Sequence, residues 1–337
     1  MSDRIFPEPG CGTVLVTGGC GFLGRELVSR LLASGHHVRV LDDLSTGLGC
    51  PPGAELIVGS VLDPTAVRHA AAGVTALFHL AGVVGMRLAT NQRRVAFDTT
   101  AVGTEVVLTA TGDAPAILFS SSAVYGLNAP CPIQEDRPLS RSETLVYDGG
   151  QEGYATGKLE LETLGATAAR RGRPVLVLRP FNVVGAGQSA AYGMVLPTFV
   201  ERAKAGLPLT IYDSGTQRRC FSGVSEFTDV VLRLVANPRA WTGGVRAVNI
   251  GSTHETTIRQ LAELVLAATG SGSPIEHIPY ASIFPGRTDV SRRVPNLDRL
   301  RELCGDITWP STGQLVQRVI HDLAAAPVDR ARAMGVH

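Results

Sequence analysis

The sequence predicts an α/β protein: a doubly wound parallel sheet with a smaller C-terminal substrate-binding lobe. Short apolar runs with the composition of buried strands alternate with stretches of helical period from residue 13 to about 182. The first run, Val14-Leu15-Val16, opens straight into a glycine turn. After Val183 the alternation is lost, and short elements and glycine turns take its place. The expected division is a dinucleotide-binding domain over 11–182 plus about 224–252, and a lobe over 183–223 and 253–326.

Composition bounds the reading. The 337 residues are long enough for one large α/β domain or two modest ones. The chain is 44% hydrophobic and 18% charged, as ordinary globular proteins are. A net charge of +1 with scattered Lys and Arg argues against a nucleic-acid surface or a polybasic membrane patch. No apolar run approaches membrane-spanning length. The segment MSDRIFPEPGCG has neither the basic start nor the apolar centre of a signal peptide, and reads as a loose tail. Cys11, Cys20, Cys50, Cys131, Cys220 and Cys304 form no CxxC pair. Neither a disulfide framework nor a metal site is expected, and a cytoplasmic setting fits.

The elements follow in order. After Val14–Val16, glycines at Gly18, Gly21 and Gly24 lead into a helix with Leu23, Leu27, Leu31 and Leu32 on one face. Strand, glycine turn and helix make a phosphate cradle of the Rossmann type. Gly18 permits the tight turn, Gly21 lets backbone N–H groups approach a pyrophosphate, and Gly24 lets helix and strand pack. The next strands are His37–Leu41, Glu55–Gly59, Ala76–Leu80 and Ala116–Phe119. Helices are expected over Pro64–Ala72 and near Phe97–Thr111, the latter with Val102, Val106 and Val107 inward. Pro130–Gly149 reads as a long surface loop, followed by a helix carrying Tyr154, Lys158, Leu161 and Leu164. Val175–Leu178, Leu209–Tyr212 and Ala247–Ile250 are further strands, and Thr257 starts a helix through Leu261, Leu264 and Val265. Ser273–Ala326 returns to the small lobe.

Three sets of residues carry chemistry. Asp42 ends the second strand, 24 positions after Gly18. An acid there accepts hydrogen bonds from an adenosine ribose and repels a 2′-phosphate, so NAD is favoured over NADP. Tyr154 and Lys158 are four apart on a helix and share a face. A cation beside a phenol lowers the Tyr pKa, and such a Tyr takes a proton from a hydroxyl. Ser120-Ser121-Ser122 follows the fifth strand, at the sheet edge where open α/β sheets bind ligands.

Taken in order, the glycine loop, Asp42, the serines and the Tyr–Lys pair make the chain similar to the extended short-chain dehydrogenase/reductase family, in its nucleotide-sugar epimerase and dehydratase branch. The segments that carry the resemblance are TGGCGFLG, VLDDLSTG, FHLAG, SSSAVYG, YATGK, LRPFNVVG, GMVLP, YDSGTQRRCF and VNIGS, spread from about Thr13 to Asp322. The resemblance implies bound, catalytically used NAD, held by Gly18, Gly21, Phe22, Leu23, Gly24, Asp42, Ser60, Val61, Leu80 and Ala81, with Tyr154 and Lys158. It implies Tyr154 as base, Lys158 as holder of the nicotinamide ribose, and Ser121, five before Gly126, as the third member. It places Asn182, Arg219 and Arg293 at the substrate diphosphate, and Met194, Val195, Leu196, Ile211 and Tyr212 at the nucleoside. Arginines suit a diphosphate because they offer fixed bidentate donors. Ser122 also faces the substrate, and Arg87 is a candidate partner for a sugar carboxylate. A homodimer through the helices near 97–111 and 154–170 is implied as well.

The departures are informative. Dehydratases and decarboxylases of this branch carry an acid one or two positions after the catalytic Ser/Thr, where this chain has Ser122 and Ala123. Elimination of water then has no evident general acid. The expected activity is an NAD-dependent epimerase acting on a UDP-sugar, hexose or hexuronate, through a 4-keto intermediate. GMVLP and RRVP keep a UDP-glucuronate decarboxylase-like enzyme or a 4,6-dehydratase as alternatives. A non-catalytic dinucleotide sensor would be expected to lose Tyr154 and Lys158, and both are present. The usual adenine-contacting Asp is Ser60, an Asn of the helix near 97–111 is Thr100, and an Asp of the lobe is Cys220, read as a packed thiol. His79 is expected only to pack or to bond backbone.

Overall fold

A computed structural model describes residues 5–46, 49–85, 90–244 and 246–325. Its centre is a seven-stranded, all-parallel sheet of β1 (Thr13–Thr17), β2 (His37–Asp42), β3 (Glu55–Val58), β4 (Val74–His79), β5 (Ala116–Phe119), β6 (Val175–Pro180) and a late strand, Arg246–Ile250. The order is 3-2-1-4-5-6 with the late strand added beside β6, which is the doubly wound arrangement.

The buried strands show why they read as continuous apolar runs. Side chains alternate between two faces, and both faces are covered. Val14, Val16, Val38, Val40, Phe78, Ile117 and Leu176 enter one core, with α1 (Phe22–Ala33) above them. Leu15, Leu41, Leu77, Leu118, Val175 and Val177 enter the opposite core, covered by α2 (Pro64–Ala71), α3 (Arg93–Ala110) and, past α4 (Arg141–Tyr147), α5 (Tyr154–Arg170). Asp63 caps α2 through Thr65 N.

The remaining strands are short: β7 (Val183–Val184), β8 (Leu209–Tyr212), β9 (Arg218–Cys220), β10 (Ser222–Gly223), then β11, the late strand, β12 (Glu255–Thr257), β13 (Ile275–Ile278) and β14 (Arg292–Arg293). They form small sheets in the orders β10-β7, β12-β9-β14 and β13-β8. A separate core gathers Leu196, Phe199, Leu209, Ile211, Leu261, Val265 and Leu315. It lies among α6 (Val195–Lys204), α8 (Ile258–Thr269), which follows α7 (Val224–Ala236), and α11 (Thr312–Ala325), after α9 (Tyr280–Ile283) and α10 (Asp298–Cys304). Thr257 and Gln260 close a reciprocal capping box on α8, as the start at Thr257 suggested.

Four expectations are corrected. The N-terminal segment is not loose where it is described: Phe6 is buried and packs edge-on against His36 and Phe78. The 130–149 stretch holds α4, capped by Ser140, because an Ser-x-x-Glu start lies inside its polar composition. Val102 points outward from α3 while Val107 is fully buried, since five residues rotate a helix by about 140°. Leu297, Leu300, Leu303 and Trp309 pack with the sheet's core, so this part of the C-terminal stretch belongs with the sheet. No helix among the described residues is long and apolar enough to cross a membrane.

Candidate active site

The chain leaves β1 at Gly18, whose φ is +71°. A Cβ on Gly18 would sit 2.8 Å from the Ala81 nitrogen, just past β4. β1 and β4 flank the point where the strand order reverses, and ligands bind in that crevice. Gly24 has less room still: a Cβ there would lie 2.1 Å from the Gly18 oxygen. Gly21 is not crowded in this way, with its nearest contact at 3.3 Å. It caps α1 without a side chain, so no side chain competes for the first-turn N–H groups, which is the kind of helix start that suits a phosphate. Phe22 and Leu23 pack their side chains on the core beneath, which leaves their backbone to the ligand.

Asp42 closes β2 and is nearly buried. Its carboxylate accepts from Cys20 N and Leu44 N, each at 2.9 Å, tying the glycine loop to β2. Burial pushes its pKa up, and the two N–H groups oppose that. Ser60 accepts from Leu62 N at 3.1 Å, and Val61 fills the space beside Gly103 of α3. Leu80 and Ala81 stand half-buried at the end of β4.

Across the crevice, the Ser121 side chain stands at the Tyr154 phenol and favours its ionised form. Tyr154 is the first residue of α5, and Lys158 lies one turn on. The Lys158 Nζ donates to the Phe119 carbonyl at 2.6 Å and sits 5.9 Å from the Tyr154 ring centre. A Cβ on Gly82 would meet Thr100 Oγ1 at 3.3 Å and Lys158 Nζ at 3.5 Å. Thr100 Oγ1 is buried without a hydrogen-bond partner. An unsatisfied hydroxyl beside an ammonium suits a polar ligand group such as a ribose. The glycine cradle, Asp42 and this pair together fit a dinucleotide.

The expected effect of Lys158 on Tyr154 is not seen here. Burial pushes the phenol up to about 12, with Ser121 working the other way. The ammonium is turned to a backbone carbonyl, so desolvation wins. Lys158 itself is pushed down to about 8 by burial, against the Glu162 carboxylate. A lysine with a depressed folded pKa binds fewer protons folded than unfolded, so its burial penalty is full below 8 and relieved as pH rises toward 10.5. Lys158→Met is therefore expected to raise the thermal midpoint at pH 7 by about 5 °C, with most of that gain lost near pH 10. Calorimetry at the two pH values checks this.

His79 is held at about 3, hence neutral, by complete burial and by the Lys158 charge. It bonds the Thr17 and Thr104 hydroxyls at 2.7 and 3.0 Å, rather than backbone as expected.

Behind the serines lies a buried polar network that composition does not announce. Arg179 pairs with Glu162 through two bonds of 2.9 and 2.6 Å. Glu162 also accepts from Ser120, next to Ser121. Arg179 donates to the Tyr125 hydroxyl, which donates to Asn249. The pair thus ties together α5, the end of β5, β6 and the turn at 122–125. The available signals were Glu162 four residues after Lys158, and a charged Arg179 closing an apolar strand.

The lobe residues divide. Asn182 takes φ +37° and donates to the Cys220 carbonyl at 2.9 Å. Arg219 is half-buried and pairs with Asp289 at 2.8 Å. Met194 caps α6, and Val195 is half-buried there. Tyr212 stacks edge-on against Tyr280 and Phe284. Leu196 and Ile211, expected at the nucleoside, are fully buried in the lobe core. Apolar side chains on a helix face and an alternating strand go to the core first. Arg293, expected at a diphosphate, is buried and donates to the Ser122 and Gly126 carbonyls, with its guanidinium 5.6 Å from the Tyr147 ring centre. It locks the serine turn from behind. Ser122 and Ala123 are buried in that turn. The Cys220 thiol is buried and pushed up to about 12 by burial, as a packed thiol is. Arg87 lies outside the described residues.

A doubly wound sheet with a dinucleotide cradle at its switch point, and Ser121, Tyr154 and Lys158 across from it, defines a nicotinamide-dependent enzyme of the short-chain dehydrogenase type. The chain belongs to the NAD dependent epimerase/dehydratase family, whose sequence model matches residues 14–251. It is similar to the UDP-N-acetyl-alpha-D-glucosaminuronate decarboxylase of Bacillus cytotoxicus, at 30% identity over 88% of this chain and 93% of that one. Among solved structures it resembles a UDP-galactose 4-epimerase, at 27% identity and a TM-score of 0.78, over 93% and 98% of the two chains. The UDP-glucose 4-epimerase of Thermotoga maritima superposes with a TM-score of 0.81 at 24% identity, over 93% and 98%.

Proposed function

We propose that the chain is an NAD-dependent epimerase of a nucleoside-diphosphate sugar, acting at C4 of a UDP-hexose or UDP-hexuronate. The observation that carries this reading is Ala123, an apolar residue two positions after Ser121. The nearby acids are engaged: Glu162 pairs with Arg179, and Asp148 accepts from the start of α5. An enzyme with a base but no free acid beside it suits removal and return of hydrogen rather than loss of water.

In this reading Tyr154 takes the proton of the sugar C4 hydroxyl, and Ser121 bonds the same oxygen and orients it. Bound NAD supplies hydride acceptance and return at C4. Lys158 and Thr100 hold the nicotinamide ribose, Gly18 to Gly24 hold the pyrophosphate, and Asp42 holds the adenosine ribose. Arg219, with Asn182 near it, faces the substrate diphosphate. Epimerisation follows when the 4-keto sugar turns over before Tyr154 returns the proton. The reading includes a cytoplasmic homodimer through α3 and α5; Val95 and Val102 of α3 are 49% and 41% exposed.

A decarboxylase is the second reading, favoured by the Bacillus cytotoxicus relative. Incubation with a panel of UDP-sugars, with products resolved by NMR, separates the two. Interconversion of C4 epimers is the expected result. Release of carbon dioxide from UDP-glucuronate, or a stable 4-keto-6-deoxy product, overturns the epimerase reading.

A further inference from the structure

The catalytic helix lacks a cap of its own. Gly153, at its N-cap, has no side chain to offer. The first N–H groups of a helix need acceptors, and an anion there is favoured by the helix dipole. Asp148 supplies one from five residues upstream. Its Oδ1 accepts from Ala155 N at 3.0 Å, and its Oδ2 accepts from Thr156 N at 2.9 Å and Thr156 Oγ1 at 3.0 Å. Thr156 Oγ1 in turn accepts from Gly153 N at 2.7 Å.

Asp148 is also the C-cap of the preceding helix. Its own N–H bonds the Thr144 carbonyl, closing α4. One residue therefore ends α4 with its backbone and begins α5 with its side chain, while Gly149 and Gly150 turn the chain between them at φ +79° and +82°. Asp148 is 3% exposed, and a Cβ on Gly153 would lie 3.2 Å from its Cγ. The glycine at that position leaves room for it.

We propose that Asp148 is a positioning residue for the candidate base: its carboxylate builds the first turn of α5 and so fixes where Tyr154, the first residue of that turn, presents its phenol. A second consequence is electrostatic. Asp148 and Tyr147 of α4 both disfavour the Tyr154 phenolate. Ser121, from the end of β5, favours it, and Lys158 stands on α5 itself. Arg287, from the loop after α9, partly offsets the Asp148 charge and donates to the Tyr147 carbonyl at 2.7 Å. The carboxylate thus holds Tyr154 in place while raising its hold on the proton.

The test uses the full chain with bound NAD, carrying ζ-13C-tyrosine. The Tyr154 signal is identified by its loss in Tyr154→Phe. In Asp148→Asn the Tyr154 ionisation midpoint is expected to fall by about one unit, because a nearby negative charge is gone. Turnover is expected to fall about tenfold with KM within about twofold, because the phenol is misplaced rather than the substrate lost. A midpoint equal to that of the unsubstituted protein overturns the proposal, even if turnover falls, since a merely structural cap would weaken the helix without moving the midpoint. Turnover within twofold of the unsubstituted enzyme overturns it as well. The kinetic arm rests on the reaction proposed above. The NMR arm needs no sugar substrate, so failure of the proposal is distinguishable from failure of that reading. If Asp148→Asn does not fold, Arg287→Gln serves: it keeps every hydrogen bond that the Asp148 carboxylate accepts and removes the offsetting charge. Its Tyr154 midpoint is expected to rise, and an unmoved midpoint overturns the proposal.

Discussion

Tyr154→Phe is expected to lower turnover by roughly 10²- to 10⁴-fold, with KM changed by less than about threefold. The substitution removes one oxygen. The ring keeps its place at the start of α5, so stability is expected to change by no more than about 1 kcal/mol. Steady-state kinetics on the UDP-sugar the enzyme accepts, with circular dichroism to verify the fold, measure the effect. Turnover within tenfold of the unsubstituted enzyme removes Tyr154 from the role of base. Burial is the chief cause that holds this phenol at about 12, with Tyr147 and Asp148 adding to it, and a positive charge from a bound dinucleotide would act in the opposite direction.

Gly24→Ala is expected to weaken dinucleotide binding by at least about 100-fold and to destabilise the protein by about 1–3 kcal/mol. Alanine is otherwise the better residue in a helix by about 1 kcal/mol, so the sign of the effect is set by space. The added methyl would lie 2.1 Å from the Gly18 carbonyl oxygen and 2.7 Å from the Gly19 Cα, both backbone atoms of the cradle. Neither moves without opening the turn. Gly21→Ala is the control for stability: its nearest neighbour is at 3.3 Å, and a destabilisation of less than about 1 kcal/mol is expected, whereas its methyl group would stand where the pyrophosphate approaches. Thermal unfolding compares the two, and equilibrium dialysis with NAD measures the binding loss in each. Equal losses of stability would mean that the close contacts of Gly24 are relieved by small shifts of the turn.

The parts that were legible in the sequence are those whose cause is local. A glycine at φ +71°, an apolar run with both faces buried, and a helix start at Thr257 each depend on residues a few positions apart. The doubly wound parallel sheet followed from the alternation of elements. What sequence reading missed depends on distance through space. Glu162 and Arg179 are 17 residues apart and meet only because α5 lies across β6. Arg293 reaches the serine turn across 171 residues and turns a presumed diphosphate ligand into a brace. Leu196 and Ile211 sit inside segments that resemble a nucleoside pocket, yet their apolar side chains are satisfied by the lobe core. The capping role of Asp148 is not legible in the sequence because the helix it caps begins six residues later, beyond the spacing of an ordinary cap. The direction of the Tyr154 shift was missed for the same kind of reason. A Tyr–Lys pair on one face says nothing of which carbonyl the lysine prefers or how deep the phenol is buried.

The place of β11 has a consequence for synthesis on the ribosome. The strand beside β6 is made about 70 residues after β6 itself, and the Leu297, Leu300, Leu303 and Trp309 side chains that seal the same core come later still. A nascent chain stopped before Arg246 therefore carries an open sheet edge and an uncovered apolar face, the surfaces that chaperones hold and that aggregate when left alone. The nucleotide cradle is translated first, but it stands on a core that closes only when most of the chain has emerged.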